Sequence, residues 1–257
     1  MSATTTAPAV IEVEDVTIAY GDNVVQRNVS FEVRRGEVFV ILGGSGCGKS
    51  SLLKAMIGLS PPASGRILFD GENIATAEGE DRLRLLRKFG VMYQSGALFG
   101  SMTLLENVRL PLEEYTALPA AAMDAIGTSK LELVQLEGFE AFLPAEISGG
   151  MKKRAAIARA MALDPDIIFL DEPSGGLDPV TSAELDQLIL RLSHALGITF
   201  VVITHELPSI FAIADRCIML DKRAKGIIAQ GKPADLRDYS PDARVRHFFN
   251  REAEAEA

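Results

Sequence analysis

Val38-Phe-Val-Ile-Leu42 runs straight into Gly43-Gly-Ser-Gly-Cys-Gly-Lys49-Ser50, and Ser51-Leu-Leu-Lys-Ala-Met-Ile-Gly58 follows. The apolar run reads as a short strand buried on both faces. Beyond the glycines, Leu52, Leu53, Met56 and Ile57 fall on one helical face. The residues between fit the pattern G-x4-G-K-[ST], in the strand–turn–helix setting that this pattern needs. Glycines let the backbone curl so that successive amides point inward at phosphate oxygens. The start of the helix adds about half a positive charge. Lys49 is placed to reach the outer phosphates and Ser50 to ligate magnesium. Gly43, Gly44, Ser45, Gly46, Cys47, Gly48, Lys49, Ser50 and Ser51 are therefore the candidate nucleotide-binding set. Cys47 reads as a small filler residue, or as a thiol whose modification would block nucleotide.

A second apolar run, Ile167-Ile-Phe-Leu170, ends in Asp171-Glu172. On its own such a pair reads as a turn or a helix cap. Beside a phosphate loop it reads as chemistry: Asp171 binds magnesium through water, and Glu172 polarises the attacking water as general base. Further out, Val10–Val33 alternates and is rich in β-branched residues, which predicts two or three antiparallel strands. Arg66–Asp70 and Phe200–Ile203 are further short strands. Pro179–Leu196 has helical periodicity, and Cys217-Ile-Met-Leu-Asp221 with Gly226-Ile-Ile-Ala-Gln-Gly231 reads as a closing hairpin. Residues of about 95–163 are rich in Leu, Ala, Met and Glu and predict a helical insert. Strands alternating with helices argue for an α/β fold with a parallel core sheet. The start of the chain adds an antiparallel β lobe, and its middle adds a helical subdomain.

The 257 residues carry a net charge of −9, which disfavours a protein that coats nucleic acid. Two cysteines and three histidines exclude a disulfide framework and leave little for a histidine-built metal site. The longest apolar stretch, Ala195–Thr204, has ten residues, against the roughly 20 that a membrane span takes. The opening MSATTTAPAV has neither a basic region nor an apolar core, so no secretory signal is expected. A cytosolic chain with reduced thiols is the expectation. The terminal EAEAEA is expected to be frayed and solvated.

Between the two motifs lies Ile147-Ser-Gly-Gly-Met151-Lys-Lys-Arg154. By itself it is a glycine turn before a basic helix. Its order and spacing between Lys49 and Asp171 resemble the ATP-binding cassette family, whose signature is Leu-Ser-Gly-Gly-Gln. Ile147 and Met151 depart from that pattern; Ser148, Gly149 and Gly150 keep it. The resemblance covers nearly the whole chain. It implies a P-loop NTPase of the cassette type over residues 10–240, with a C-terminal extension at 241–257 that can contact a second copy. It implies ATP and Mg2+ as cofactors. Tyr20 resembles the aromatic that stacks on adenine. Gln94, after a strand, resembles the residue that senses magnesium and links to the membrane partner. Gly176-Leu-Asp178 resembles the loop that crosses the dimer interface. His205 resembles the switch histidine on the γ-phosphate. Ser148 and Gly150 would touch the nucleotide held by the other copy, so a homodimer that ATP closes is implied.

The run Gly90-Val-Met-Tyr-Gln-Ser-Gly-Ala-Leu-Phe-Gly-Ser-Met-Thr-Leu-Leu-Glu-Asn-Val108 is similar to the same region in cassettes of the Mla type, which serve Mce-domain phospholipid transporters. The Met151 signature and Arg244-Val-Arg-His-Phe-Phe-Asn-Arg251 are similar to the same group. This implies an integral-membrane permease, an Mce-domain lipid-binding protein and a small STAS-domain protein as partners, and a peripheral place on the cytoplasmic face of the inner membrane. Val245, Phe248 and Phe249 share a short helical face that can dock on a partner or pack on its own chain. A cassette for amino acids, lipoproteins or a metabolite is the alternative. A soluble cassette ATPase acting on DNA or ribosomes is the remote one. Lys152, Lys153 and Arg154 read as a solvated or phosphate-facing helix side; Arg159, Asp164 and Asp166 read as structural, and Cys217 as strand core.

Overall fold

A computed structural model describes residues 7–252. The expectations for residues 1–6 and 253–257 lie outside them.

The chain opens with β1 (Ala9–Tyr20) and β2 (Asn23–Arg34), then β3 (Val38–Gly43), α1 (Lys49–Met56), β4 (Ser64–Phe69), β5 (Glu72–Asn73) and α2 (Gly79–Leu86). The middle runs through β6 (Phe89–Met92), α3 (Leu104–Tyr115), α4 (Ala120–Leu133), α5 (Gly149–Ala160), β7 (Ile167–Asp171) and α6 (Pro179–Leu196). It closes with β8 (Thr199–Ile203), α7 (Leu207–Ile213), β9 (Arg216–Asp221), β10 (Gly226–Gly231), α8 (Pro233–Tyr239) and α9 (Ala243–Asn250). The architecture is α/β, with parallel and antiparallel strands and helices.

Two compact units divide the chain. The first joins Met1–Leu85 to Ile203–Ala257. Its antiparallel sheet has the order β2-β1-β4-β5, so two long strands form where the alternation predicts two or three. Val13 pairs with Phe31 on one side and with Ile67 on the other, which buries the apolar face of each strand. β3 lies parallel to β9, with Val40 opposite Cys217, and β9 pairs antiparallel with β10. Every residue of β3 is buried, as its unbroken apolar run requires. α1 turns Leu52, Leu53, Ala55 and Met56 inward.

The C-terminal helix packs on its own unit. Val245 and Phe249 of α9 are buried within this unit, and the Phe249 ring lies 5.6 Å from that of Phe211 on α7. Two residues of the expected docking face thus pack on this chain, and Phe248 stays half-buried. Arg244 anchors the same helix by an ion pair of 2.9 Å to Asp221 at the end of β9.

The second unit, Leu86–Val202, is larger than the helical insert expected at about 95–163. It holds the parallel pair β6 and β7, with Val91 opposite Phe169, and helices α3 to α6. α3 starts on a capping box in which Thr103 and Glu106 serve each other's backbone amides. α5 packs against β6 so closely that a Cβ on Gly90 would stand 1.9 Å from the Ala160 carbonyl oxygen. Only glycine fits there. Lys130 pairs with Asp164, the structural role expected of it, and the Thr199 amide donates to the Asp166 main-chain carbonyl at 3.0 Å. Among the described residues no helix is long and apolar enough to cross a membrane.

Candidate functional site

In the first unit, β3 delivers the chain to the phosphate loop. Gly43 has φ 149°, and a Cβ there would lie 2.4 Å from the Leu220 carbonyl oxygen and 2.7 Å from the Cys47 sulfur. The loop ends at Gly48, the N-cap of α1. No side chain caps this helix, and no acidic residue stands in its first turn. Its first amides thus lack a side-chain partner, which suits a phosphate oxygen. Gly44, Ser45, Gly46 and Ser50 are exposed around them.

The loop is fixed by its own lysine and by one side chain of β2. Lys49 Nζ donates to the carbonyls of Gly43 at 2.8 Å and Gly44 at 3.2 Å, which holds the ammonium over the loop. Gln26, buried on β2, donates from Nε2 to the Cys47 carbonyl. Cys47 is 1% exposed, and burial pushes its thiol pKa up while the Lys49 charge pulls it down. A buried, protonated thiol is packing, not a reactive group; the reading of Cys47 as a modifiable switch is corrected. Tyr20, 50% exposed at the end of β1, donates from its hydroxyl to Ser51 Oγ at 3.3 Å. This puts an open aromatic face beside the first turn of α1. His205 is exposed just after Thr204, whose amide donates to the Ile41 carbonyl of β3 at 3.4 Å.

In the second unit, β7 carries four buried residues and ends at half-buried Asp171. Glu172 follows at φ 48° and is 8% exposed. A non-glycine residue held at positive φ is uncommon and concentrates at functional sites. Gln94 is exposed after β6. The signature opens α5: Ser148 is the N-cap, and its Oγ accepts from the Met151 amide at 3.2 Å. Ser148 and Gly149 are exposed, while a Cβ on Gly150 would stand 2.5 Å from Thr181 Cγ2. Asp178 is the N-cap of α6 and accepts from the amides of Val180 and Thr181 and from the Thr181 hydroxyl. That hydroxyl, then the amides, hold its carboxyl below the usual range.

Lys153 is a correction. It is 7% exposed, not part of a solvated side. Its Nζ donates to the carbonyl of Gln94 and, at 3.2 Å, to that of Glu172. Arg154 donates to Gln135 and pairs with Glu184 at 2.9 Å. Arg159 donates to the carbonyls of Ala97 at 2.7 Å and Gly96 at 2.8 Å, so its structural role serves the segment after Gln94. Sequence spacing gives no sign of these basic contacts. Gln26 carries a faint one, a polar residue on an inward position of an alternating strand.

A model of the ABC transporter family matches residues 26–175. The intermembrane phospholipid transport system ATP-binding protein MlaF of Escherichia coli K12 is 44% identical over 93% of this chain and 88% of its own. A probable ribonucleotide transport ATP-binding protein of Mycobacterium leprae is 41% identical over 93% of this chain and 68% of its own. The dimeric structure of an ATP-binding cassette in a post-hydrolysis state, bound to ADP and Pi, superposes with a TM-score of 0.77 at 30% identity, over 86% of this chain and 98% of that one. With the uncapped, glycine-built loop of α1 and the signature at the head of α5, these matches place the chain in the ABC transporter family, among its ATP-binding cassettes.

Proposed function

We propose that this chain is the ATPase subunit that powers phospholipid transport between inner and outer membranes. The ATPase itself follows from family membership. The observation that carries its local chemistry is the uncapped start of α1 behind Gly43–Gly48, with Lys49 held over the loop.

Lys49 and the amides of Gly46 to Ser50 bind the β- and γ-phosphates, and Tyr20 stacks on the base. Mg2+ takes oxygen ligands; the exposed Ser50 hydroxyl, the Gln94 amide and the Asp171 carboxylate are donors of that kind. A bound Mg2+ would neutralise phosphate charge during in-line attack. Glu172 takes the proton of the attacking water, and His205 orients on the γ-phosphate. Ser148, Gly149 and Gly150 present amides at the exposed head of α5 to the nucleotide of a second copy, and Asp178 belongs to the face that meets it. The known cassette dimer bound to ADP and Pi supports this pairing.

Phospholipid cargo is supported by the relative named for that transport and by the 90–108 sequence. A permease, an Mce-domain protein and a STAS-domain protein are the partners this assigns, with the chain peripheral on the cytoplasmic face of the inner membrane. The relative named for ribonucleotide transport keeps another cargo as the second reading.

The test is to purify the tagged full chain from its native membrane in mild detergent and identify proteins and lipids by mass spectrometry. A permease with an Mce-domain protein and phospholipid supports the reading. A different permease without phospholipid overturns the cargo and leaves the ATPase standing.

A further inference from the structure

Lys153 is a buried cation that this account leaves unused. Lys153 sits one turn into α5, and its ammonium donates to the main-chain carbonyls of Gln94 and Glu172. These two residues follow the parallel neighbours β6 and β7. An ammonium has three donors and no acceptor, so it can bridge carbonyls on separate segments. Burial lowers the Lys153 pKa; the charges of Glu172 and then Asp171 hold it up. Burying a charge is costly unless polar partners surround it, and here the partners are the backbone of two proposed catalytic positions. Arg159, further along α5, ties down Gly96 and Ala97 of the same loop.

We propose that Lys153 is a positioning residue for ATP hydrolysis: it ties the carbonyl of Gln94 to that of Glu172, so that the head of α5, the Gln94 loop and the end of β7 shift as one body. Displacement of Ser148–Gly150 is thereby carried to both carbonyls. The proposal rests on the reading of Glu172 as general base.

The test measures steady-state ATP turnover of the full chain, isolated with its membrane partners, in three variants. Lys153→Met should lower kcat about ten-fold or more, since small misplacements of catalytic groups cost up to about a hundred-fold. The ATP KM should change less than about three-fold, because the phosphate loop is untouched. Lys153→Arg, which keeps charge and several donors, should recover most of kcat. Glu172→Gln should lose about a hundred-fold or more while still binding ATP. If Glu172→Gln is inactive and Lys153→Met turns over at the parental rate, Lys153 positions nothing. If Glu172→Gln itself turns over at the parental rate, the base assignment fails and the proposal with it. Should Lys153→Met not fold, Lys153→Gln is measured instead: reduced kcat at constant KM supports the tie, and parental kcat overturns it.

Discussion

Two loops follow strands of this chain, the buried β3 and the half-buried β6, and are held in opposite ways. The phosphate loop after β3 is held largely from within, by glycine geometry and by Lys49 donating to Gly43 and Gly44. The loop after β6 is held from outside, by Lys153 on Gln94 and Arg159 on Gly96 and Ala97. A self-built loop has to write its requirements into consecutive residues. A loop held by a helix far along the chain does not. The first can be recognised from its sequence; the second needs the fold.

The largest expected effect breaks the self-built loop. In Lys49→Ala the cation for the outer phosphates is gone and the carbonyls of Gly43 and Gly44 lose their donor. A hydrogen bond to a charged group contributes roughly 1.5–3 kcal/mol, so ATP affinity should fall at least ten-fold and turnover should vanish. Calorimetric titration with ATP and a phosphate-release assay read this. Parental affinity in the variant would show that the loop does not hold the phosphates.

A smaller effect is expected where the hold is external. Arg159→Met keeps most of the volume and removes both donors to Gly96 and Ala97. Gly96 is buried, and a buried carbonyl left unpaired costs about 1–3 kcal/mol. Urea unfolding should show that loss, and amide exchange should speed up over residues 95–99 alone. Unchanged protection there would mean that the loop, like the phosphate loop, holds itself.

The same contrast explains what the sequence made legible. Unbroken apolar runs located β3, β7 and β8, and helical periodicity over Pro179–Leu196 gave α6 at its observed limits. Tyr20, Gln94, Ser148, Asp178 and His205 are assigned by order along the chain through the family resemblance, since none of them carries a local pattern of its own. Lys152-Lys-Arg154 looks like a solvated run in sequence, and only the fold brings the carbonyls of Gln94 and Glu172 to Lys153. Val245 and Phe249 were likewise an amphipathic face whose partner could not be known. Phe211 on α7, far off in sequence, supplies it.

The smallest effect compares the phosphate loop with the sheet beside it. Burial pushes up the thiol pKa of Cys47 in the loop and of Cys217 on β9, the latter from 9.0 to about 12. Cys217 also donates to the Gly231 carbonyl at 3.4 Å. The folded chain therefore keeps a proton at Cys217 that the unfolded chain releases above pH 9. The unfolded state then binds fewer protons, so stability falls as pH rises. This contribution is fully present below about pH 9 and is lost on the way to pH 12. Cys217→Val, close in volume, should remove one proton from the linkage, flattening the fall by up to about 1.4 kcal/mol per pH unit. Urea unfolding at pH 8.5 and 10.5 measures the slope in both proteins. Equal slopes would mean that water reaches the β9 thiol, and that the floor beneath the phosphate loop is less closely packed than the contacts around Gly43 require.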